Sequence, residues 1–186
     1  MIYIPLILLI ILIFWVIMKY NILVTLKNQV TNAWKQIDIQ LKRRHDLIPN
    51  LVSTVKGYME FEQDTLRQVI EARNAAASAK GVAQSAVKEG ELTQALSRLF
   101  ALVENYPELK ANENVQRLME ELTTTENTVS FARQFYNDIS TKFNITQQTF
   151  PGNLIANAFN FKLVELFEIQ RAEEREAPVV NLSFKK

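Results

Sequence analysis

Hydrophobic side chains fill the start of the chain without a charge from Met1 to Met18, and further along they return in a seven-residue rhythm. At 1.5 Å per helical residue, MIYIPLILLIILIFWVIM reaches about 27 Å, just enough for the roughly 30 Å hydrocarbon core of a bilayer. The pattern predicts a transmembrane helix. A cleaved signal peptide needs a basic leading region and a small-residue cleavage site. Here only Met1 precedes Ile2, and the first alanine is Ala33, which predicts an uncleaved anchor. Tyr3, Trp15 and Tyr20 suit the interfacial aromatic belts. No Lys or Arg precedes the span, whereas Lys19, Lys27 and Lys35 follow it. The positive-inside rule then places the N-terminus outside and the bulk of the chain in the cytoplasm, in single-pass topology. The span holds no ionisable residue and no small-xxx-small motif, so it reads as a tether without a transport path.

Neither proline nor glycine occurs between Pro5 and Pro49, so nothing forces this helix to stop at the membrane surface. Val30, Ile37, Leu51 and Tyr58 share one heptad register, and Trp34, Leu41, Ile48, Val55 and Val69 the other. Arg44 and Glu62 interrupt the stripe. Because it resumes in phase after Pro49, the expectation is a kinked helix in which the His45 carbonyl loses its usual partner. The run is expected to end in the alanine-rich stretch Ala72 to Ala79. Lys80 to Glu91, with Gly81 and Gly90, reads as the first long loop. A shorter helix over Leu92 to Glu104 should stop before Pro107.

A second long helix opens at Asn112 as N-cap, helped by Glu113, and runs toward Asn144. Val115, Leu122, Val129, Tyr136 and Phe143 form one row; Leu118, Thr125, Ala132 and Ile139 form the other. The two long helices should pack antiparallel. Thr149-Phe150-Pro151-Gly152 turns the chain, Asn153 is placed to cap a short helix, and a tail begins at Ala177-Pro178. No segment alternates with the two-residue period of a strand. The fold class is therefore all-α: a transmembrane anchor (1–18), a bundle of long antiparallel helices (19–160) and a partly irregular C-terminal tail (161–186).

Composition narrows the chemistry. Without cysteine there is no disulfide, thiolate metal site or nucleophilic thiol. The four glycines lie too far apart for a phosphate-binding loop, and one histidine cannot build a multi-histidine metal site. No catalytic residue, cofactor or metal is predicted. With 21 basic and 20 acidic residues, the chain has no global field to gather nucleic acid. His45 stands among Lys42, Arg43 and Arg44, where neighbouring cations oppose a bound metal.

Three groups remain as candidates for interaction. Lys42, Arg43 and Arg44 form an electrostatic interface. On an upright helix Lys42 lies about 36 Å beyond Met18, far outside a Debye length of about 8 Å, so the run meets acidic groups of the bundle or of a neighbouring subunit, the preferred reading; a helix lying on the membrane would instead let it hold anionic lipid. Arg44 falls on the apolar stripe and needs an internal carboxylate. Glu126, Arg133 and Asn137 share one face of the second long helix and read as a buried polar network that fixes register. Phe150, Phe159, Phe161 and Phe167 belong to an apolar surplus near the C-terminus that must cover the bundle, another subunit or the bilayer; self-association is the preferred account.

Three stretches resemble a known family. YNILVTLKNQVTNAWKQIDIQLKRRHDLIPNLVSTVKGY, from Tyr20 to Tyr58, is similar to the hallmark segment of the bacterial LemA family. ENYPELKAN (Glu104 to Asn112) and ENTVSFARQFYN (Glu126 to Asn137) resemble its later motifs, as does the short N-terminal anchor. The resemblance implies an inner-membrane protein with a membrane-anchored helical bundle and no known catalytic residue. It also implies kinship with a magnetosome protein needed for making membrane compartments, and a partner-binding role beside membrane proteases or other envelope proteins. The expected function is thus a non-enzymatic homo-oligomeric scaffold that organises or remodels membrane. The alternative is a monomeric adaptor or regulator of a membrane protease or envelope system.

Overall fold

The computed structural model describes residues 3–59 and 61–168. Six helices follow one another: α1 (Tyr3–Val55), α2 (Gln63–Ser78), α3 (Gly81–Val103), α4 (Pro107–Lys110), α5 (Glu113–Gln148) and α6 (Gly152–Ala158). An extended segment, 161–168, closes the described chain, and no strand occurs among the described residues. The tail beginning at Ala177-Pro178 lies outside them.

The first helix continues unbroken from the apolar segment through Pro49, and it is long and apolar enough at its start to cross a membrane. Its buried seam is Leu23, Leu26, Val30, Ala33, Ile37, Leu41, Arg44, Ile48, Leu51 and Val55, spaced by threes and fours. The long run expected to reach Ala79 instead ends at Val55. Gly57 lies in the turn that follows, and α2 doubles back along α1, bringing Arg73 to the His45 carbonyl. Tyr58, expected on the seam, is therefore half exposed.

The predicted loop from Lys80 to Glu91 is helix. Only Ala79 and Lys80 separate α2 from α3, and the sharp reversal falls on Gly81, whose φ of 76° suits a residue without Cβ. Gly90 lies inside α3, where glycine costs about 1 kcal/mol relative to alanine. The buried row Ser85, Glu89, Leu92, Leu96, Leu99 and Val103 offsets that cost. Burying a leucine is worth about 1.5–3 kcal/mol, so tertiary packing overrides the local preference.

The fifth helix opens as expected on Asn112, whose side-chain oxygen accepts from the N–H groups of Asn114 (3.0 Å) and Val115 (3.3 Å). It then runs on to Gln148. Asn153 does not cap α6. It lies inside the first turn, and its own N–H donates to the Thr149 carbonyl at 2.9 Å.

Helices α1 and α5 pack antiparallel. Trp34 meets Tyr136 edge to face and Arg44 pairs with Glu126, so ten residues forward on α1 match ten back on α5. Around this pair the interior divides in two. At one end α2 and α3 complete a four-helix core that includes Ile48, Leu51, Val69, Leu99 and Leu122. Toward the apolar segment, α6 and the extended segment cover a thinner core of Leu23, Ile37, Val129, Phe143 and Phe167.

Candidate functional site

Where the two cores meet, polar side chains replace the apolar seam. Arg44 is 1% exposed, which demands compensation for its charge. One guanidinium nitrogen donates to Glu89 Oε2 at 2.8 Å. The other donates to Thr93 Oγ1 at 2.9 Å and pairs with Glu126 Oε2. His45 Nε2 lies 2.7 Å from Glu89 Oε1. A carboxylate only accepts, so this nitrogen carries the proton. Glu89, itself fully buried, is held from both oxygens by adjacent residues of α1. One side of the cluster opens on a cleft of about 190 Å³ between α3 and α5, reached by Arg44, Thr93 and Glu126.

Arg133 lies next in line on α5. Burial lowers its pKa from the ordinary arginine value, against the raising influence of Glu126 and Glu89. Two of its nitrogens, Nε and Nη2, are buried without a hydrogen bond, while the guanidinium carbon sits 4.5 Å over the Phe167 ring. Arg44 and Arg133 together balance Glu89 and Glu126. The arrangement is an internal lock in which Arg44 is paired directly with both carboxylates, and the Thr93 hydroxyl, 3.2 Å from Glu126 Oε1, is tied into it.

The extended segment is strapped to α5 by two asparagines. Asn144 donates to the Val164 carbonyl (2.8 Å) and accepts from the Val164 N–H (3.0 Å). Asn137 does the same for Phe167, at 3.0 and 2.7 Å. The spacing explains the fit: seven helical residues rise about 10.5 Å and three extended ones about 10 Å. Tyr136 adds a bond from its hydroxyl to the Glu165 carbonyl at 2.8 Å.

The predicted groups are thus redistributed. Of the basic run, Lys42 and Arg43 are exposed, whereas Arg44 is interior and cannot contribute to a surface interface. Glu126, Arg133 and Asn137 do not form one connected network: Glu126 joins Arg44, Arg133 rests on Phe167, and Asn137 holds the strap. Spacings of seven and four residues keep them on one face of α5, but that face meets α1 and α3 at the height of Glu126 and the extended segment further along. Phe167 is 4% exposed beside Trp34 and so serves this chain's own core, while Phe161, partly buried, packs on Tyr20 and Phe143. Phe150 and Phe159 remain exposed.

Sequence reasoning missed Glu89, Thr93, Arg73 and Asn144. Glu89 stands three residues before Leu92 in a row that continues through Leu96 and Leu99. That phase was a usable signal, masked by the two nearby glycines. Among the described residues, no group of three or more metal-ligating side chains is placed to hold a metal.

Comparison with known proteins agrees with this architecture. Protein LemA of Metamycoplasma hominis is 26% identical over 156 residues, covering 83% of this chain and 71% of that protein. Magnetosome protein MamQ 2 of Paramagnetospirillum magneticum is 24% identical over 178 residues, and MamQ of Magnetospirillum gryphiswaldense 23% over 177. The matches cover 82% and 81% of this chain and 65% of each MamQ. The model of the LemA family matches residues 33–182, which takes in α1 from Ala33 onward, all of α5, the ion cluster and the strap, and the chain belongs to that family.

Proposed function

We propose that this protein is a non-enzymatic, membrane-anchored scaffold whose helical bodies self-associate on the cytoplasmic side and organise membrane. The observation that carries the reading is α1, a single helix of 53 residues that joins the apolar segment to the folded body with no loop between them. A body fixed to its anchor in this way presents the same face at the same height in every copy. Phe131 and Phe135, one turn apart on α5, are 72% and 55% exposed and offer an apolar contact for a second copy. Kinship with proteins named for the magnetosome supports a membrane role.

The test is the mass and shape of the detergent-extracted full-length protein, by light scattering and electron microscopy of the same fractions. A regular assembly that Phe131→Asp with Phe135→Asp reduces to monomers is the expected result. A monomeric wild type overturns the scaffold and favours the adaptor, for which exposed Lys42 and Arg43 are the docking surface. Reversing both to Glu would then abolish crosslinking to the partner without changing size.

A further inference from the structure

The end of the bundle next to the apolar segment carries a second apolar feature. The turn between α5 and α6 exposes Phe150 (79%), α6 exposes Leu154 (57%), and Phe159 (54%) follows at its C-terminal end. Its position follows from two contacts. Phe159 packs against Tyr20 with ring centroids 4.7 Å apart, and Phe161 lies 6.0 Å from the same ring. Tyr20 stands two residues past Met18, about 3 Å along the axis, within a headgroup layer of roughly 5–7 Å. The antiparallel register brings the last turn of α5 to the same height.

Charge is sorted in the same direction. Neither Met1 to Ile37 nor Ile139 to Val164 contains an acidic residue, while the two stretches carry Lys19, Lys27, Lys35, Lys142 and Lys162. A surface made to meet a second copy of itself has no reason to exclude acids over both chain segments. One that faces lipid phosphates does within about a Debye length of them, roughly 8 Å, where a carboxylate beside Lys19 or Lys162 would be repelled and the lysines attracted.

We propose that the α5–α6 turn together with α6 is a second membrane contact: Phe150, Leu154 and Phe159 enter the interfacial layer of an anionic bilayer, with Lys19 and Lys162 toward its phosphates. The inference rests on the reading of residues 1–18 as a membrane span. It makes the body a two-point attachment, α1 through the bilayer and the turn upon it, which fixes the direction in which the bundle leans.

Because the chain has no native cysteine, single labels are unambiguous. The full-length variants Leu12→Cys, Arg98→Cys, Phe150→Cys and Leu154→Cys, with exposed Arg98 on α3 as the water reference, are spin-labelled and reconstituted in phosphatidylcholine vesicles with and without phosphatidylglycerol. Collisions with oxygen, which partitions into lipid, are compared with those of a water-soluble nickel chelate. The expected oxygen-to-nickel ratio is high at position 12, severalfold above position 98 at positions 150 and 154, and higher there with phosphatidylglycerol. Ratios at 150 and 154 equal to that at 98, with 12 still lipid-exposed, overturn the contact and leave the span intact. A water-exposed position 12 removes both. Spectral broadening at 150 that disappears on dilution with unlabelled protein assigns the turn to a second copy and overturns the proposal.

Discussion

Arg73 Nε donates to the His45 carbonyl at 3.1 Å, the oxygen that Pro49 leaves without its usual helical partner. Proline inside a helix supplies no N–H to the carbonyl four residues back. Here an arginine from the antiparallel neighbour α2 fills the gap, tying α2 to α1 beside the buried ion cluster. Arg73→Met should destabilise the protein by about 1–2 kcal/mol. In a Pro49→Ala background, where the backbone N–H returns, the same substitution should cost much less. Urea unfolding of the four proteins measures the coupling, and full additivity would refute the compensation.

Glu89 holds both Arg44 and His45 at a buried position. Glu89→Ala should cost about 3–5 kcal/mol, because it strips Arg44 of its most buried counter-charge. Glu126, one-third exposed, leaves its charge partly solvated, so Glu126→Ala should cost less. Chemical denaturation of the two variants gives the order, and equal losses would contradict it.

Removing both strap asparagines, Asn137→Ala with Asn144→Ala, should release Val164 to Phe167 while leaving the four-helix core folded. Each substitution deletes two hydrogen bonds to backbone and is expected to cost about 1–3 kcal/mol. Hydrogen exchange should accelerate at Val164 and Phe167, and Trp34 fluorescence should change as Phe167 leaves its neighbourhood. Unchanged protection at both amides would show that apolar packing alone holds the segment.

Burial raises the pKa of the Tyr136 phenol above its ordinary 10.0. The unfolded chain then loses this proton first as pH rises, so stability falls with pH. The contribution is complete below pH 10.0 and disappears as pH climbs through the higher folded value. Tyr136→Phe should be less stable at neutral pH by about 1 kcal/mol, from the lost bond to Glu165, yet lose less between neutral and strongly alkaline pH. Unfolding midpoints of both proteins across that range check the sign.

Gly152 opens α6 directly over the last turns of α5, and a Cβ there would collide with the Thr146 carbonyl oxygen. Backbone cannot yield as a side-chain tip does. Gly152→Ala should therefore cost about 1–3 kcal/mol, read by thermal unfolding, whereas Gly90→Ala, with open space around it, should stabilise by about 0.4–1 kcal/mol.

The two long helices and their antiparallel pairing were legible in the sequence because apolar periodicity and the Asn112 cap are local signals. So was Arg44's need for an internal carboxylate, since a charge on an apolar stripe must be matched inside. The identity of that carboxylate was not legible. Glu89 lies in a stretch whose glycines and polar side chains suggest a loop, and only packing against α1 and α2 makes it helix.

Tertiary structure also decided the fate of the aromatic surplus. Composition demands that Phe161 and Phe167 be covered, but a side chain's hydrophobicity does not specify what covers it. The strap's course was fixed by Asn137 and Asn144, whose spacing along a helix matches three extended residues once the two segments lie side by side. Periodicity fixes which face of a helix is buried; the distances between elements far apart in the chain fix which partner buries it.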